Sequence, residues 1–243
     1  MTDVQNTANP EREQRILDAA AGLFVHYGYD KTTVSDIARE AGISKGAIYL
    51  HFASKDELFE ALLLREMSIY STTWMGLLEA DPKGGTIGGM YKNVLYALNS
   101  SPFMSMMFKQ DRRVFGSYLR KPGNFFEQYQ EQQEESSRFQ FVKWMQDAGA
   151  MRQDIDPKVV AHVMNMLAFG LVGLDGIIPE KDIPPTDDLI EGIAEIMDRA
   201  LTPDDLQDMD IGKKIIRQLV NTGMQDYEQL KTQKLQDDKE QEA

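Results

Sequence analysis

The chain has 243 residues, room for one sizeable helical body and a small N-terminal head, with no disulfide or metal needed to complete a core. It has no cysteine, which excludes disulfides, thiolate zinc sites and thiol nucleophiles and suits a reducing cytoplasm. The net charge of -13 excludes a uniformly basic nucleic-acid binder and leaves room only for a local basic footprint. The opening MTDVQNTANP lacks a basic or apolar leader pattern, and no apolar run reaches the roughly 20 residues of a membrane helix. The expectation is a soluble, cytoplasmic protein.

From Pro10 onward, Ile16, Ala20, Leu23, Phe24 and Tyr27 recur at helical spacing and predict a first amphipathic helix, with Gly28 placed to cap its end. Thr33 with Asp36 three residues later is a capping-box pattern for a short second helix that buries Val34, Ile37, Ala38 and Ala41. Gly42 then allows a tight turn, and Ser44 caps a third helix running through Ile48 to Phe52. Ser54 with Glu57 repeats the cap for a longer fourth helix toward Leu78.

KGGTIGG, Lys83 to Gly89, reads as a flexible connector, since no Gly-Lys-Ser/Thr follows to make a phosphate loop. Helices are predicted over Met90 to Leu98, Phe103 to Leu119 and Phe126 to Ala148, with Gly149 as a stop. Asp156 before Pro157 opens a strongly apolar helix, Val159 to Leu174. A proline-bearing loop spans Ile178 to Pro185, and Thr186 starts another helix to Leu201. Beyond Pro203 the spacing of Ile211, Ile215, Ile216, Leu219 and Val220 allows an amphipathic helix that either straps across a dimer or stands in solvent. No strand pattern or internal repeat appears, so the fold class is all-α.

Three short helices with a glycine-bearing turn between the second and third form a helix-turn-helix, whose last helix lies in the major groove. The run TTVSDIAREAGISKGAIYLHFASKDELF, Thr32 to Phe59, closely resembles the DNA-binding head of the TetR family of bacterial regulators. The AGIS turn, the KGAIY helix start and the FASKDEL exit all fall in order and register. The resemblance covers about Glu11 to Met67 and implies a head over 11–70 with its helix-turn-helix at 33–52. It further implies a ligand-binding and dimerisation domain over 71–202 and a charged, partly helical extension over 203–243.

Side-chain chemistry and this resemblance together nominate the DNA-facing residues. Thr33 and Ser44 present hydroxyls and free amides to phosphate at helix N-termini. Lys45, Gly46 and Ala47 form the first turn nearest the bases: a guanine donor, a point of close approach and a methyl contact to thymine. Many relatives carry Thr where Ala47 stands, and Ala47 lacks that hydroxyl for hydrogen bonding to a base. Tyr49, His51 and Lys55 face the phosphate backbone. Ser44 to Lys55 contains no acid, so the footprint is locally basic within an acidic chain.

Downstream, Trp74, Met90, Phe103, Met107, Phe108, Phe139 and Trp144 are candidates to line a site for an apolar or aromatic small molecule, or else plain core. Arg112, Arg113 and Arg138 can answer an acidic ligand, but read first as solvated surface charges. In the family such an effector spreads the two heads of a homodimer and lowers operator affinity. The last two core helices pair between subunits, which here implicates Val163, Leu167, Gly170, Gly173, Leu174, Ile193 and Met197. The operator would be near-palindromic double-stranded DNA, with half-sites roughly 34 to 36 Å apart.

Neither an HExxH nor a GxSxG pattern is present, and the three histidines, His26, His51 and His162, are scattered. An enzyme is not expected, nor a cofactor or metal. The competing reading is a helical protein-interaction module that keeps the head without binding DNA.

Overall fold

The computed structural model describes residues 10–131, 135–173, 178–206, 208 and 210–220. Their regular secondary structure is entirely helical, without a strand. They form two compact units: one holds the described residues of 1–70 and 98–134, the other those of 71–97 and 135–243. The sequence division at residue 70 assigned 98–134 to the body, whereas the structure groups that segment with the head.

The first unit opens with α1 (Pro10–Tyr27), α2 (Val34–Glu40) and α3 (Lys45–Tyr49) and takes in the start of α4 (Lys55–Ala80). It continues with α6 (Pro102–Lys109), α7 (Arg112–Phe115), a 3-10 turn at Gly116–Arg120 and α8 (Phe125–Glu131). Gly28 ends α1 at φ 81°, and a Cβ there would sit 2.3 Å from the Arg113 carbonyl oxygen. Phe59 is the hub of the unit's core. Its ring lies 4.7 Å from Phe24, 5.0 Å from Tyr29, 4.8 Å from Tyr118 and 5.6 Å from Phe115, largely edge to face.

The second unit takes the end of α4 and most of α5 (Ile87–Ser100), then α9 (Ser137–Asp147), α10 (Pro157–Gly173) and α11 (Thr186–Leu201). Its core includes Leu78, Met90, Tyr91, Val142, Met145, Met164, Ala168, Ile190 and Ala194. Asp156 accepts from the Lys158 amide at 2.7 Å, so the Asp-Pro start read from sequence is a working cap.

Several elements depart from the sequence reading. The single helix expected over Phe103 to Leu119 breaks where Gln110 adopts a left-handed φ of 48° and Asp111 caps a new turn. The one expected over Phe126 to Ala148 is interrupted before Ser136, whose hydroxyl caps α9. The glycine-rich segment is buried from Gly84 to Met90 rather than a solvated connector. Asp198 of α11 accepts from the Gly88 amide at 2.6 Å and from Thr86 at 3.1 Å, capping α5 with a carboxylate. A Cβ on Gly88 would collide with Asp198 and with the Ala194 carbonyl oxygen, so the site demands glycine.

Residues 211–220 are helical and pack within the second unit. Gly212 approaches the Gly85 carbonyl, Lys213 donates to the Asp81 carbonyl at 3.0 Å, and Arg217 grips Glu79 through two 2.7 Å bonds. The stretch is therefore a strap on the α4–α5 turn of its own chain, a placement that neither of the two sequence alternatives named.

Candidate nucleic-acid interface

Thr33 and Asp36 form a complete capping box at α2, and the Ser44 hydroxyl accepts from the Ala47 amide at 3.1 Å to start α3. Gly42, at φ 66°, makes the turn between them. Ile48 and Phe52 are buried and anchor α3, so the opposite side of this five-residue helix is turned outward. Thr33, Ser44, Lys45, Gly46 and Tyr49 are exposed, and Ala47 is half-buried. The Lys45 ammonium lies 5.8 Å from the centre of the Tyr49 ring. Leu50, next along, is 60% exposed, an apolar contact point that no sequence motif singled out.

Two nominated residues are placed differently from the rest. His51 is half-buried, and its Nδ1 is fully covered with no hydrogen-bond partner among the described residues, so only the remainder of its ring faces outward. Lys55 is turned back onto the protein. Its ammonium donates to the Tyr29 carbonyl at 2.9 Å and the Thr32 carbonyl at 3.2 Å, 3.9 Å from the Tyr29 ring centre. Burial lowers its pKa, and the nearby Lys121 adds to that effect. Lys55 thus braces the loop leading into α2.

Around that brace lies a polar network that sequence reasoning missed. Tyr29 donates its hydroxyl to Asp56, and Lys121 donates both to the Tyr29 oxygen at 2.9 Å and to Asp56. Burial, reinforced by Asp56, pushes the Tyr29 hydroxyl up to about 12. Burial acts against ionisation of Asp56, yet hydrogen bonds from Lys121 and Tyr29 hold its carboxyl below the usual value. Asp30 accepts from the Ser117 amide at 3.1 Å, and the Tyr29 amide donates to the Val114 carbonyl at 2.6 Å. These pairs span between 27 and 92 residues of chain, and no local pattern announces them.

Residues 16–62, the helices just described, match the family model for bacterial regulatory proteins of the tetR family. The DNA-binding head is of the TetR family. TetR-type relatives include the uncharacterised HTH-type transcriptional regulator YuxN of Bacillus subtilis, 39% identical over 106 residues, which are 41% of this chain and 35% of that protein. A second, the HTH-type transcriptional repressor AcnR of Corynebacterium jeikeium, is 27% identical over 188 residues, 71% of this chain and 86% of its own. The chain thus spans about a third of the length of YuxN and most of AcnR. Among solved structures, Bacillus subtilis FadR in complex with stearoyl-CoA aligns at a TM-score of 0.55 and 17% identity, over 76% of this chain and 96% of that one. That likeness shows a shared all-helical fold beyond the head.

The seven candidate effector residues divide between the two units. Phe103 and Met107, buried, and Phe108, half-buried, belong to the first unit, where Phe103 lies 6.5 Å from the Phe59 ring. Trp74, Phe139 and Trp144, half-buried, and Met90, buried, belong to the second.

Of the residues nominated for dimerisation, Val163 is exposed and Leu167, Gly170, Gly173 and Ile193 are half-buried. Leu174 lies outside the described residues. Met197 is only 4% exposed and fills the core, because its neighbour Ile196, 66% exposed, takes the outward position on α11. Sequence reading also passed over Val159, Met166 and Phe169, all exposed on α10. Their signal is the 159, 163, 166 spacing, beside a face that carries Lys158, His162 and Asn165. No helix among the described residues is long and apolar enough to cross a membrane.

Proposed function

We propose that this protein is a homodimeric DNA-binding transcriptional regulator, a repressor whose hold on a near-palindromic operator is weakened by a small-molecule effector with an apolar or aromatic body. The observation that carries the reading is α3: anchored by Ile48 and Phe52, capped by Ser44, and acid-free where Lys45, Gly46 and Tyr49 face outward. Thr33 and Ser44 present their helix starts to phosphate, Lys45 and Gly46 meet base edges, and Tyr49 and the outer part of His51 meet the backbone. Lys55 acts by fixing the α1–α2 loop.

A dimer is supported by the run of exposed apolar residues on α10, Val159, Val163, Met166 and Phe169, together with Ile196 on α11. An effector is supported by the soft and aromatic residues of the second unit, and FadR, of the same fold, holds stearoyl-CoA. The test is affinity for random duplex DNA as salt is lowered. A DNA reader gains affinity steeply as counterions are released, while a flat response favours an interaction module that has lost DNA.

A further inference from the structure

Cations sunk into this protein are paired. Arg65, with 13% of its side chain exposed, meets Asp18 at 2.6 Å and Glu66 at 2.7 Å. Lys92, 19% exposed, meets Asp81 at 2.9 Å, and Lys213, 10% exposed, meets the Asp81 carbonyl at 3.0 Å and Asp210 at 3.7 Å. Arg138 breaks the pattern. Its Nη1 is fully covered and finds no hydrogen-bond partner among the described residues; the guanidinium meets the Tyr91 side chain and none of the described carboxylates. In a chain carrying 39 acids against 26 Lys and Arg, that vacancy is conspicuous.

Its position gives the vacancy a direction. Arg138, Val142 and Met145 stand four and three residues apart on one face of α9, and the latter two are completely buried. The guanidinium lies 5.9 Å from the centre of the Tyr91 ring, itself 1% exposed, whose hydroxyl is committed to the Met164 carbonyl. Arg138 is therefore no solvated surface charge, the first reading of it from sequence. It heads an apolar face inside the second unit, the unit that also holds Met90, Phe139 and Trp144. A covered guanidinium nitrogen left without an acceptor is destabilising, and a planar guanidinium with no carboxylate beside it is matched by a planar oxyanion.

We propose that Arg138 anchors the effector, and that the effector is a monoanionic carboxylate on an apolar or aromatic body, its oxygens accepting from the guanidinium while the body lies along the side chains of the second unit. One guanidinium matches one negative charge. The inference rests on the reading that this protein answers to a small molecule, and it narrows the chemistry of that molecule.

The experiment uses the full chain without DNA, so its result is independent of the DNA-binding test. Binding of decanoate is compared with 1-decanol, and 1-naphthoate with 1-naphthalenemethanol, by calorimetry. The parent should prefer each acid to its alcohol by about ten-fold or more, and Arg138→Met should abolish that preference while Arg138→Lys keeps part of it. In the absence of any probe, Arg138→Met should melt at or above the parent temperature, since it removes a buried unpaired charge. Three results would overturn the proposal: no binding of either acid, equal binding of acid and alcohol by the parent, or a fall of several degrees in the ligand-free melting temperature of Arg138→Met.

Discussion

Gly46 and Lys55 show how a single position separates folding from recognition. A Cβ at Gly46 would meet only the Ser44 hydroxyl oxygen, at 3.9 Å, so nothing in the fold requires glycine there. Replacing it with Ala in a helix is stabilising by up to about 1 kcal/mol. Gly46→Ala should therefore melt at or above the parent temperature while binding duplex several-fold more weakly, because the new methyl stands between α3 and the bases. Unchanged duplex affinity would show that the N-terminal end of α3 does not approach DNA. Lys45→Ala should weaken binding and also blur preference at one base pair, which a systematic operator series measures. Lys55→Ala, by contrast, frees the Tyr29 and Thr32 carbonyls from their shared donor, so it should lower thermal stability as well as affinity.

Between elements, the pairs Asp30–Ser117 and Tyr29–Asp56–Lys121 tie the loop before α2 and the first turn of α4 to the 114–121 segment. Asp56 adjoins Lys55 at the start of α4, and Lys121 supplies its counter-charge. Lys121→Met should leave that carboxylate uncompensated near the recognition helix and weaken binding to every duplex alike, and adding Asp56→Asn should restore much of the loss. A double variant as weak as Lys121→Met would remove Asp56 from the account. Because the folded state holds the Asp56 carboxyl below its ordinary value, its contribution is complete above the unfolded value of about 3.9 and is lost as pH falls through the folded one. Acid unfolding of Asp56→Asn should accordingly be shallower in that window, followed by circular dichroism. What was legible in the sequence at this scale was local: the Thr33–Asp36 box, the Ser44 and Ser54 caps and the Asp156–Pro157 start all act within four residues. The capture of Lys55, the burial of the glycine segment by Asp198 and the break at Gln110 depend on partners far along the chain or on a left-handed residue that is not glycine. No motif encodes those.

At the scale of the whole molecule, the proposed dimer requires a face that a second copy can cover. Val159, Val163, Met166 and Phe169 expose between 42% and 61% of their surface along α10, and Ile196 exposes 66% on α11. A twofold axis would use this patch against itself, so one substitution enters the interface twice. Met166, at 61% exposed, is the position where a charge does least harm to the isolated fold. Met166→Glu should sediment as a folded monomer at concentrations where the parent is a dimer, with two carboxylates and lost apolar contact opposing association. Its affinity for a palindromic operator should fall far more than its affinity for a single half-site, since only the former draws on both heads. Met197→Glu supplies the contrast. That side chain is 4% exposed, so a carboxylate there should unfold the second unit rather than release an intact monomer. A Met166→Glu protein that still sediments as a dimer would assign the contact to another surface and leave the apolar face of α10 to a different partner.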